Sequence, residues 1–210
     1  MATMSRLPLL VLSVPIVPAL ASCAHLDMSR TGFLDDYTSL EPSAEHRVWG
    51  VPDAVDLWVA PDLAGKYDAV IVEPVVYRQQ EGAKHEPTAE EIERLTAAYT
   101  EKLGRILGER LEVVSTPGPR TARVRASISE VHPVSVLLNV IGLILVVPPD
   151  MGGVVGELEV LDAATGARRL AMTSVREGTP FLVLECFTRY GHARHGMKKW
   201  AELVRDELKP

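Results

Sequence analysis

The chain has 210 residues, 47% of them hydrophobic, and a formal charge of −6. That is enough material for one domain with a sizeable core, or one domain plus a tether. An acidic chain gains nothing from counterion release on nucleic acid and is not drawn to anionic head groups, so both are discounted as partners of its bare surface.

The first 22 residues carry one charge, Arg6, followed by an apolar run from Leu7 to Leu20. The run is too short to span a bilayer, and Pro8, Pro15 and Pro18 would disturb a permanent membrane helix. It closes in Leu20-Ala21-Ser22-Cys23, which resembles the bacterial lipobox. The resemblance implies diacylation of the Cys23 thiol, cleavage between Ser22 and Cys23, and acylation of the new amino terminus. Three acyl chains exceed what stable anchoring requires. The competing readings are an ordinary signal peptide with an incidental cysteine and an uncleaved anchor. Ala24 stands where an Asp tends to hold bacterial lipoproteins at the inner membrane. The expected address is therefore the outer membrane, facing the periplasm. Residues 1–22 are read as leader, 23–31 as lipidated tether and 32–210 as a single globular domain.

Phe33, Leu34, Tyr37 and Leu40 recur at helical spacing, which predicts one or two helical turns that dock the tether on the domain. Residues 41–66 hold prolines at 42, 52 and 61 with little periodicity. They are read as an extended, irregular segment pinned by Trp49, Val51, Leu57 and Trp58. The β-branched run from Asp68 to Tyr77 predicts a strand, interrupted by Pro74. Thr88 with Glu91 three residues on forms a capping box, and Ile92, Leu95, Tyr99, Leu103, Ile106 and Leu107 make one apolar stripe ending near Gly108. A short strand follows over 111–115, then a turn at Pro117-Gly118-Pro119. Residues 120–131 alternate cleanly, as a half-buried strand does. Two further strands, 156–161 and 168–175, flank the turn-rich Asp162-Ala-Ala-Thr-Gly166. A last helix is predicted from about Gly191 to Leu208, with Trp200 on its core face. The first strand and helix suit a right-handed crossover to a parallel neighbour, and the later strands an antiparallel meander. The fold expected is α/β (α+β): a single mixed, mostly antiparallel sheet with two helices packed on one face and the other face partly exposed.

Val134 to Val147 is very apolar but shorter than the roughly 20 residues a spanning helix needs. It is read as a buried loop or short helix over the sheet. The alternative is an exposed flap whose Leu137, Leu138, Ile141, Leu143 and Ile144 form an interaction surface. With Cys23 acylated, Cys186 remains alone in an apolar run and is read as an inert buried thiol. His192 and His195 share a helix face, which is read as solvated; four nearby cations, Arg189, Arg194, Lys198 and Lys199, oppose a metal there, and none is expected. Glu90, Glu91 and Glu93 suit a helix N-terminus. Glu157 and Glu159 are read as the wet face of a strand. Serine nucleophile elbows and phosphate loops are absent from the sequence, so neither catalytic residues nor cofactors are expected.

The order of these features is similar to that of an uncharacterised family of bacterial lipoproteins, domain of unknown function 3313. The lipobox, the block Gly32-Phe-Leu-Asp-Asp-Tyr-Thr-Ser-Leu40 and the Asp162-to-Gly166 hairpin carry the resemblance. It covers nearly all of the chain after the leader, and residues 133–152 depart from it. The resemblance implies an address and an architecture but no activity. The function expected is that of a non-enzymatic accessory or assembly component of an envelope complex. The alternatives are a carrier or sensor of a small apolar ligand or lipid, and a metal-dependent enzyme working through His192 and His195.

Overall fold

A computed structural model describes residues 27–28, 30–43, 54–135, 152–178 and 188–209. In chain order the elements are β1 (Glu41–Pro42), β2 (Ala54–Val59), β3 (Ala69–Val72), β4 (Val76–Tyr77), α1 (Ala89–Leu107), β5 (Glu112–Val113), β6 (Thr121–His132), β7 (Gly153–Asp162), β8 (Arg168–Glu177) and α2 (Gly191–Leu208). The strands form one mixed sheet in the order β1-β2-β8-β7-β6-β3-β5, with β4 also paired to β6. Pairing is antiparallel from β1 through β6 and parallel where β3, β4 and β5 join.

Each parallel contact follows from its connection. The segment that holds β4 and α1 carries the chain from β3 to β5, which lies parallel beside β3. Pro74 ends β3, and the chain resumes as β4 farther along the same neighbour, β6. The β7–β8 turn is built on Asp162, whose Oδ1 accepts from the amides of Ala164 and Thr165 and from the Thr165 hydroxyl.

The two helices pack on one face. Leu95, Tyr99, Leu103, Ile106 and Leu107 of α1 join Trp200, Met197 and Val204 of α2 over Val124, Ile128, Leu158, Val160 and Met172 of the sheet. Trp200 is 1% exposed and meets Tyr99 edge-on, with ring centroids 5.8 Å apart. Glycines let α2 come this close. A Cβ on Gly156 would stand 2.5 Å from the Ser127 carbonyl oxygen and 2.8 Å from the Trp200 ring. One on Gly196 would stand 2.7 Å from Val154.

The Thr88 capping box forms as the spacing predicts, with the Glu91 amide donating to Thr88 and the Thr88 amide to Glu91. The Thr88 amide is the main reason the Glu91 carboxyl is held down at about 2, with Arg189 adding to the effect. Replacing Thr88 with alanine is expected to cost about 1 kcal/mol, read as a shifted midpoint in urea unfolding. An unchanged midpoint would show that the cap contributes nothing.

Two local expectations fail. Residues 54–59 are not irregular; they form β2 on the edge of β8, with Val55 2% exposed and Leu57 and Val59 against the core. Trp58 lies on the opposite side of the same strand, while Trp49 and Val51 lie outside the described residues. Residues 32–40 form bends and a turn rather than helix. Side chains there bond the local amides in a non-helical arrangement. The Tyr37 hydroxyl accepts from Gly32 and Leu34, and Asp36 accepts from the Thr38 amide and hydroxyl. The docking itself does occur, with Phe33 and Leu34 buried against Ala171 of β8.

Candidate functional site

Ala171 faces away from the helices, so residues 30–40, which bury Phe33 and Leu34 against it, lie as a strap across the second face of the sheet. That face is polar at its centre. Pairing register places Ser127, Glu157 and Thr173 in one row across β6, β7 and β8, and Arg125, Glu159 and Ala171 in the next. The expected wet face is in fact covered: Glu157 is 1% exposed and Glu159 2%.

Glu157 holds the strap. Its Oε1 accepts from the Thr31 amide at 2.7 Å and the Thr31 hydroxyl at 2.8 Å, and its Oε2 accepts from the Tyr37 hydroxyl at 2.5 Å. Charge-assisted bonds of this kind offset the desolvation of a buried carboxylate. Arg125 donates to Glu159 at 2.7 Å and lies 3.5 Å from Glu73, which also accepts from Arg123. Burial pushes the Glu159 carboxyl up, and Arg125 opposes that shift. The guanidinium groups of Arg125 and Arg78 stand over the Phe33 ring, 5.2 and 5.6 Å from its centroid. Arg78 and Arg168 also donate to strap carbonyls, those of Gly32 and Asp36. Beyond the β6 bulge, Glu130 is 3% exposed and accepts from Gln80 and from the Lys84 amide. The hydroxyls of Ser127 and Thr173, on either side of Glu157, are buried without a hydrogen-bond partner. The row therefore keeps bonding capacity that the strap does not use.

Burial first, and then Glu157, pushes the Tyr37 hydroxyl up to about 12. Its folded value lies above the ordinary 10, so its stabilisation is complete below pH 10 and fades as pH climbs through 12. Tyr37→Phe is expected to cost about 1.5 kcal/mol at pH 8. The gap between parent and variant should close between pH 10 and 12 in denaturant titrations. A gap unchanged at pH 12 would rule out the hydroxyl as its source.

The sequence-derived sites divide. Ser22, Cys23, Cys186 and the apolar set Leu137, Leu138, Ile141, Leu143 and Ile144 lie outside the described residues. His192 is buried at 4% exposure rather than on a solvated face, whereas Arg194 and Lys198 beside it are exposed. Among the described residues, no group of three or more His, Cys, Asp or Glu could hold a metal ion. Among them, too, no helix is long and apolar enough to cross a membrane. The Glu157 cluster was missed because its signal is long-range: Thr31 and Tyr37 reach Glu157 across 126 and 120 residues of chain.

The architecture is thus that of an α+β domain, an open mixed sheet with two helices on one face and a strap on the other. The chain belongs to the family described as "Protein of unknown function (DUF3313)", whose model matches residues 29–204. Among curated proteins nothing matches it. Solved structures with some similarity include a PelC dodecamer from Paraburkholderia phytofirmans, 14% identical with a TM-score of 0.47, over 75% of this chain and 97% of that one. A DUF4136 family protein from Bacteroides thetaiotaomicron is 10% identical with a TM-score of 0.37, over 74% of this chain and 96% of that one.

Proposed function

We propose that the chain is a periplasm-facing lipoprotein held by acyl chains on Cys23, and that its domain is a non-enzymatic assembly or accessory part of an envelope complex. The supporting observation is the closeness of the strap to the lipobox. Thr31, eight residues beyond Cys23, already bonds to Glu157 in the middle of the sheet. Eight residues reach at most about 28 Å, so an anchor at Cys23 keeps this domain near the lipid surface. Pull on the anchor then falls on a buried carboxylate backed by the sheet rather than on a loose terminus.

Cys23→Ser is expected to move the protein from the membrane to the soluble or unprocessed fraction and to abolish incorporation of labelled palmitate. Mass spectrometry of the parent should find acyl mass on the peptide beginning at Cys23. A bare thiol there would overturn the anchor. For the assembly role, photo-crosslinkers at positions 137 and 144 should capture a discrete envelope partner in cells; capture of nothing from either position would count against it.

A further inference from the structure

The N-terminal ends of the two helices lie side by side and enclose a groove of about 260 Å³. Arg94 of α1 and Arg189 and Arg194 at the start of α2 line it. One carboxylate lines it too, Glu91, and both its oxygens are engaged. Oε2 accepts from the Thr88 amide and hydroxyl, and Oε1 pairs with Arg189 at 3.0 Å. Glu90 is 3.9 Å from Arg94 in a solvent-exposed pair, which neutralises little.

α2 adds to the positive field. Its first turn contains no acidic residue, and its N-cap, Tyr190, supplies no side-chain cap. An 18-residue helix of this kind presents an uncompensated partial positive charge at that end. Tyr190 also lines the groove and is 9% exposed. Its hydroxyl is buried beside Glu91 and Arg189. Arg189 stacks over its ring at 5.7 Å. Arg189 and Arg94 remain 59% and 65% exposed, so their donors can turn to an incoming group.

We propose that this interhelical groove binds a phosphate-class oxyanion. The three guanidinium groups supply planar, charge-assisted donors. The same chemistry is offered by a free phosphorylated solute and by the head group of an anionic phospholipid, and experiment separates them.

Inorganic phosphate should bind the purified full-length chain in detergent saturably by calorimetry. Arg94→Gln combined with Arg194→Gln should weaken it about tenfold or more. Both side chains are on the surface, so the thermal midpoint of the double variant in chloride should match the parent. Phosphatidylglycerol vesicles form the second arm. Stronger retention of the parent than of the double variant, with no such difference on phosphatidylcholine, assigns the site to a lipid head group. Equal retention alongside saturable phosphate binding assigns it to a free solute. No saturable phosphate binding and no difference on vesicles, or equal phosphate affinity in parent and variant, overturns the proposal.

Discussion

Trp200→Ala is expected to destabilise the domain by about 3–5 kcal/mol, in the range of buried tryptophan truncations. The side chain is 1% exposed and packs between Tyr99 of α1 and the glycine notch at Gly156 in β7. Its indole N–H finds no acceptor, so the contribution is one of packing rather than hydrogen bonding. Trp200→Phe should therefore lose only part of it. Gly156→Ala alone should cost about 1–3 kcal/mol by overpacking. The two changes should not add. Removing the ring relieves one of the two collisions a Cβ at 156 would make, while the Ser127 carbonyl at 2.5 Å remains. Urea unfolding of the four proteins measures this coupling. Strict additivity would mean that Trp200 does not fill the notch.

Glu157→Ala should cost about as much, about 3–5 kcal/mol, by a different route. The substitution leaves the Thr31 amide, the Thr31 hydroxyl and the Tyr37 hydroxyl without their acceptor. Because the main core lies on the other face, the loss should fall first on the strap. Hydrogen exchange at Thr31 should rise, and trypsin should cut after Arg30, while amides of β6 and β7 stay protected. Glu157→Gln keeps the shape but loses the charge, and should fall between parent and alanine variant. A strap that stays resistant to trypsin in Glu157→Ala would show that Phe33 and Leu34 suffice to hold it.

The helices and most of the sheet were legible from local pattern. Thr88 and Glu91 fix where α1 begins, and the alternation from Ala122 to Ile128 fixes the two faces of β6. β2 escaped because its six residues lie between Pro52 and Pro61, and Asp56 breaks up its apolar content. The helical spacing of Phe33, Leu34, Tyr37 and Leu40 was real, but hydrogen bonds to the Tyr37 and Asp36 side chains outcompeted the helix. The polar face was misread for a physical reason. Alternation shows which residues share a face and cannot show what covers it. Nothing in Gly153–Asp162 shows that Thr31 and Tyr37 return to Glu157.

The strap and its anchoring glutamate are separated by 126 residues of chain, as counted from Thr31. A ribosome adding about 5–20 residues per second needs roughly 6–25 s to cover that distance. For that interval Thr31 and Tyr37 have been made but Glu157 has not, so the front of the nascent chain stays open to whatever enzymes handle it. Closure of the last layer then waits on synthesis itself, and the finished sheet draws its own leading end shut.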